Sequence, residues 1–184
     1  PEGLLNYLAL LGWSLSADRD VFSRAEMVEA FDVADVNGNP ARFDQKKAES
    51  INGDHIRLLE PADFQQRLLP YLEGFVAEPP TEAQAAILAE AAPLVQERMG
   101  RLGGAAGMLG FLFTDGAALA YEDDALASRK DDAAATLQAS FSALEGLEDF
   151  TAAGIEAVLR EALIDGLGLK PRLAFGPLRV ALSG

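Results

Sequence analysis

Apolar residues recur at helical spacing along most of the chain, with no convincing run of strand-like alternation. Leu4, Leu5, Leu8 and Leu11 share one helical face, and Gly12 ends the run. Phe22 to Met27 has the form of a helix start. Ser23 is placed as the cap, Glu26 completes a reciprocal capping pair, and Phe22 can staple onto Met27, giving a helix to about Phe31. Asn37-Gly38-Asn39-Pro40 is a turn cluster. The helix expected after it carries Phe43, Lys47 and Ile51 on one side and breaks at Asn52-Gly53. Pro61 suits the first turn of the next helix, which carries Phe64, Leu68 and Leu72.

Glu78-Pro79-Pro80 reads as a linker, followed by a second capping pair at Thr81 and Gln84. Ile87, Leu88, Ala91, Val95, Met99 and Leu102 then repeat at helical spacing as far as Gly103-Gly104. Pro93 inside this run predicts a kink, because proline removes a backbone donor. Further helices are expected around Leu137, Phe141 and Leu144, and around Ile155, Val158, Leu159 and Ala162, with Gly166 and Gly168 stopping the last. The pattern predicts an all-α chain in two parts, a helical unit at 1–76 and a helical bundle at 77–184.

Composition narrows the chemistry. The 184 residues are 49% hydrophobic and 24% charged, a globular balance. No apolar run approaches the ~18–20 residues that span a bilayer, so no membrane role is expected. The absence of cysteine excludes disulfides and a cysteine nucleophile, and a single histidine, His55, excludes a multi-histidine zinc site within the chain. The start at Pro1-Glu2-Gly3 reads as a piece of a longer protein. Gly103-Gly104-Ala105-Ala106-Gly107 lacks the Lys-Ser/Thr of a phosphate loop and reads as a helix break. Asp123-Asp124 and Asp131-Asp132 lack calcium-loop spacing and read as solvated acidic faces. His55 has no nucleophile cue beside it and reads as structural or surface.

The formal net charge of −14 argues against non-specific binding to nucleic acid. The cations are nevertheless uneven. No acidic residue follows Asp165, whereas Lys170, Arg172 and Arg179 do, and Arg42, Lys46 and Lys47 cluster near Arg57. Screening limits distant charge to ~8–10 Å, so a locally positive surface can hold phosphates on an acidic chain. Two readings stay open on these grounds: an RNA-binding unit, and an acidic helical protein-interaction module with no RNA ligand.

Five separated segments, in order, resemble segments of bacterial glutamyl-tRNA synthetases, beginning just after their signature lysine loop. Pro1 to Ser14 is similar to a family stretch reading P-x-A-L-x-N-Y-L-x-L-L-G-W. Phe22 to Met27 resembles its F-S-x-x-E step, and Phe43-Asp44, Lys47 and Asn52 its F-D-x-x-K-x-x-x-x-N helix. Val95 to Arg98, and Pro177 to Gly184, resemble later segments. Ala48 and Ser50 stand where the family often has Leu and Trp, and His55 where it often has Tyr.

The resemblance implies a tRNA-binding fragment of a class I glutamate–tRNA ligase, inactive alone. A stem-contact helical unit at 1–76 would precede a helical anticodon-binding region at 77–184, truncated at its C-terminus. ATP, Mg and glutamate chemistry would lie in an absent N-terminal catalytic domain, with no catalytic residue, metal or cofactor here. The implied partners are that domain and tRNA(Glu), with tRNA(Gln) a second candidate, in a cytoplasmic monomer. Arg179 matches the arginine of a P-L-R segment facing anticodon bases, and Arg98, Arg101, Arg172 and Lys170 are further anticodon candidates. Lys46, Lys47 and Arg57 are candidates for phosphates of the tRNA backbone, while Asn6, Tyr7 and Trp13 read as packing residues.

Overall fold

The structure, a computed structural model, describes residues 1–121 and 133–184 and carries the helices that the apolar spacing predicts, together with two, over 105–109 and 171–183, that it does not. They are α1 (Glu2–Leu10), α2 (Arg24–Ala30), α3 (Gln45–Arg57), α4 (Pro61–Leu68) and α5 (Glu82–Gln96). α6 (Ala105–Leu109), α7 (Ala133–Glu145), α8 (Ala152–Arg160) and α9 (Pro171–Ser183) follow. α8 continues as a π-helical segment over Glu161–Gly166. Among the described residues, β pairing is confined to two isolated bridges, Ser16 with Arg19 and Glu73 with Val76.

Both predicted capping pairs are present. The Ser23 hydroxyl accepts from the Glu26 amide at 3.1 Å, and the Glu26 carboxylate accepts from the Ser23 amide at 2.8 Å. Thr81 and Gln84 repeat the exchange at 3.3 and 3.2 Å. Each pair satisfies two amides that a helix start leaves without partners. Pro61 occupies the first turn of α4, and Gly168, at φ +65°, follows the π-helical segment.

The chain divides into two compact units, Pro1–Phe113 and Thr114–Gly184. This boundary lies well beyond the one expected at 76/77. The reason is that Leu88, Ala91, Ala92 and Val95 of α5 share one core with Ile56, Phe64, Leu68 and Leu72, and Met99, Ala105 and Leu109 complete it. Glu78-Pro79-Pro80 is therefore a turn inside the first unit, where α5 folds back on α4. In the second unit, Leu159, Leu163 and Ala174 are buried, with Ala139, Leu144, Ile155, Phe175 and Leu178 packed around them.

Several expected details differ. α3 runs through Asn52-Gly53 instead of breaking. The Asn52 side chain donates to the Gly100 carbonyl at 2.8 Å, so it does not compete for its own backbone. Packing of α3 thus outweighs the ~1 kcal/mol that glycine costs inside a helix. α5 runs through Pro93 and ends at Gln96, and Met99 is buried from the turn that follows. Phe141 is 61% exposed, because α7 turns Thr136 and Ser140 inward.

α1 also buries the face opposite to the expected one. Leu4, Leu5 and Leu8 are exposed, whereas Gly3, Asn6 and Tyr7 face α3. Gly3 is the closest approach: a Cβ there would lie 2.7 Å from the Asn52 Cα. Gly3→Ala is accordingly expected to destabilise the chain by about 1–3 kcal/mol, since backbone has to move to admit the methyl. Gly38→Ala, at an open position, should stay within about 0.5 kcal/mol of the parent. Urea denaturation of the two variants checks this, and an unchanged midpoint for Gly3→Ala would contradict the packing described.

Candidate functional site

The basic residues fall into two sets, one in each unit. In the first unit, Lys46 stands on the exposed side of α3 and lines an open groove of about 760 Å³ with Arg42, Phe43, Asp44, Gln45 and Glu49. The next residue along, Lys47, is held by Asp20, with Nζ 3.0 Å from the carboxylate. Arg57 is committed twice, to the Asp54 carboxylate at 2.6 Å and to the Glu97 carbonyl at 3.1 Å. Of the three expected backbone contacts, Lys46 is thus the least engaged by its own chain, whereas Lys47 and Arg57 would give up existing partners to meet a phosphate.

Arg98 and Arg101 also belong to this first unit, not to the one that holds the other anticodon candidates. Arg98 donates to the Leu94 carbonyl at 3.2 Å. Arg101 extends toward α3, 3.7 Å from the Glu49 carboxylate, and so stands beside the groove that Lys46 lines. The turn carrying both is stapled to α3 by Asn52 to Gly100 and Arg57 to Glu97, and by Gln96, which donates to the carbonyls of Ile56 and Leu59 at 2.9 Å.

In the second unit, Lys170 precedes α9, Pro171 opens it, and Arg172 and Arg179 are exposed along it. The seven-residue interval is about two turns, so the two guanidinium groups leave the same side of the helix about 10.5 Å apart along its axis. Among the described residues, none of these three cations pairs with a carboxylate. Arg160, by contrast, is paired with Glu156 at 2.7 Å.

Sequence reasoning missed Phe43 and the network around Asn6. Phe43 precedes α3, so helical-face arguments do not apply to it, and it is 54% exposed. Buried Asn6 donates to the Asp20 carbonyl at 2.8 Å and accepts from the Phe22 amide at 3.0 Å. Those partners fix the orientation of its amide. His55 Nε2, 2.8 Å from the same oxygen, is therefore the donor in that contact. Burial pushes His55 below the usual imidazole range, against the opposing pull of Glu2 and Asp54. Glu2 is held at about 2, chiefly by a hydrogen bond from its own backbone, with Arg67 adding to it from 3.1 Å. His55 is thus a packing and hydrogen-bonding residue, with no nucleophile among its partners.

Among the described residues, no group of three or more histidine or carboxylate side chains is arranged to hold a metal. Asp123-Asp124 and Asp131-Asp132 lie outside the described residues. No described helix is long and apolar enough to cross a membrane.

Residues 63–184 match the model of a family described as an anticodon binding domain. Over its whole length the chain is 65% identical to a glutamate–tRNA ligase of Leifsonia xyli subsp. xyli and 58% identical to one of Kocuria rhizophila. It spans 38% and 37% of those two proteins. Among solved structures, it superposes over 99% of its length on a glutamate–tRNA ligase of Elizabethkingia meningosepticum crystallised with its amino acid. That match has a TM-score of 0.72 and 25% identity, and covers 35% of the larger chain.

The electrostatics predict how stability depends on pH. His55 has a lower value in the folded chain than the ordinary 6.5, so the unfolded chain takes up the proton first. Stability should decline as pH falls below about 7, until folded His55 is protonated too. The Glu2 contribution acts lower: it is complete above the ordinary value of 4.5 and is lost as pH falls toward about 2. His55→Tyr should remove the upper decline and leave the lower one. Urea midpoints against pH test this, and identical profiles for the two proteins above about pH 5 would contradict it.

Proposed function

As this chain belongs to the anticodon-binding domain family, we propose that it is the tRNA-binding portion of a glutamate–tRNA ligase. The observation that carries the reading is the exposed side of α9, where Arg172 and Arg179 stand two turns apart in a segment free of acidic residues after Asp165. A guanidinium can stack on a splayed base and donate two hydrogen bonds to its edge, which suits the unstacked bases of an anticodon loop. Lys170, at the start of the helix, supplies charge for the adjoining phosphates. Lys46 serves as a phosphate contact that positions the RNA without reading its sequence, with Lys47 and Arg57 joining it when they exchange their carboxylates for phosphate. Arg98 and Arg101 go with this second role, since Arg101 leans on α3.

The substrate of the reading is tRNA(Glu), with tRNA(Gln) as a second candidate, and the whole protein would act as a cytoplasmic monomer. ATP-dependent attachment of glutamate, with its Mg, is assigned to residues outside this chain, whose part is to present the tRNA. The net charge of −14 then makes the affinity of this chain alone weak.

Arg179→Ala in the full-length ligase should lower kcat/KM for tRNA by about 5- to 150-fold, the range of one stacked or bidentate base contact. Glutamate activation should stay unchanged. Arg179→Lys should recover only part of the loss, since an ammonium keeps the charge and loses the planar fork. Thermal melting of the same preparations separates recognition from folding. A stable Arg179→Ala enzyme with parental tRNA kinetics would refute the anticodon role.

A further inference from the structure

We propose that Phe43 and the cations around it form a stacking site for one unpaired nucleotide of the bound RNA, a proposal that rests on the tRNA-binding reading above. Exposed aromatics are common on this surface, Phe141 at 61% among them, and Phe43 stands out because its position is fixed and cations line the groove beside it. Phe43 is 54% exposed, and its position is set by Asp44 and Tyr7. The next residue, Asp44, accepts from the Lys47 amide at 3.1 Å and donates its own amide to the Tyr7 hydroxyl at 2.5 Å. The Phe43 ring meets buried Tyr7 edge to face, with centroids 5.0 Å apart and planes at 87°. Among the described residues no ring is stacked in parallel on Phe43, so the geometry that a nucleobase favours is unused.

The surroundings supply the charge that a nucleotide needs. The groove beside Phe43 has a volume of about 760 Å³, within the range of small-ligand sites. Arg42 and Lys46 line it, together with Asp44 and Glu49. The two carboxylates are already engaged. Asp44 caps α3, and Glu49 accepts from the Gln45 side chain at 2.9 Å and meets Arg101 at 3.7 Å. Three cations thus stand against two occupied carboxylates, a local excess of positive charge on a chain of net charge −14. The base stacks on the Phe43 ring, and its phosphates meet Lys46 and Arg42, with Arg101 at the rim. Stacking on a π-face is tolerant of sequence, so this site positions the RNA while α9 discriminates.

The test is binding of this chain, at low salt, to a tRNA(Glu) transcript and to a short single-stranded oligoadenylate, with an RNA duplex and polyglutamate as competitors. Oligoadenylate should bind and compete with tRNA. Phe43→Leu keeps an apolar contact with Tyr7 but removes the stacking face, and should weaken both RNAs by about 5- to 150-fold at unchanged melting temperature. Phe43→Trp should retain the affinity, which a merely structural role for Phe43 would not predict. Lys46→Ala should instead reduce the salt slope by about 0.7, as loss of one phosphate contact on a single strand does. Parental RNA affinity in Phe43→Leu, or displacement of oligoadenylate by duplex or polyglutamate as readily as by single strands, would overturn the proposal. A chain that binds tRNA(Glu) in an Arg179-dependent way yet is indifferent to Phe43 would overturn this site alone. A chain that binds no RNA would overturn it together with the tRNA-binding reading.

Discussion

The first unit hangs on the crossing of α1 over α3. Gly3 lets the two backbones meet at Asn52, and one turn further on Asn6 ties the His55 imidazole to the Phe22 amide and the Asp20 carbonyl. Tyr7 then reaches the amide of Asp44, the residue that caps α3. Three consecutive features of one helix thus set where α3 lies and where it begins. Every basic residue on α3 inherits its position from that crossing, as does Phe43. Substituting a larger residue at Gly3 would therefore disturb the surface chemistry of α3 as well as the packing beneath it.

The charge distribution follows the same economy. An acidic chain can present cations to a polyanion only where the carboxylates are absent or already occupied. α9 takes the first course, since no acidic residue follows Asp165. The α3 surface takes the second: Asp44 is used as a cap, Glu49 is bonded by Gln45 and Arg101, and Asp20 and Asp54 are consumed by Lys47 and Arg57. Exposed pairs of this kind are worth ~1 kcal/mol or less, so they hold their partners in place without locking them there. Among the described residues, the proposed RNA contacts of the first unit accordingly divide into cations with no carboxylate pair, Lys46 and Arg42, and engaged ones that a phosphate has to capture.

The capped helix starts were legible in the sequence because caps and spacing are local, whereas α6 and α9 were not anticipated. Ser23 with Glu26, Thr81 with Gln84 and Pro61 each act within one turn, and all appear where they were expected. What depended on distant partners was not legible. The Leu4, Leu5 and Leu8 stripe looked like a core face, yet the buried face is the one bearing Gly3, whose value lies in the backbone that it meets. Asn52-Gly53 looked like a break until Gly100 supplied a hydrogen bond from 48 residues away. The unit boundary moved for the same reason, since α5 completes the core begun by α4. For the candidate site, residue type and charge clustering placed Lys46 and Arg179 on exposed surface. They could not show that Arg101 joins α3, nor that Phe43 lies outside the helix whose face it was assigned to.

The proposed tRNA contacts form two basic sets, one on α3 and one on α9. Hydroxyl-radical footprinting of tRNA(Glu) bound to the chain tests this most directly. Two protected regions are expected, with protection of the anticodon loop lost in Arg179→Ala and the other region lost in Lys46→Ala. A single protected region that both substitutions weaken alike, or protection insensitive to either, would contradict it.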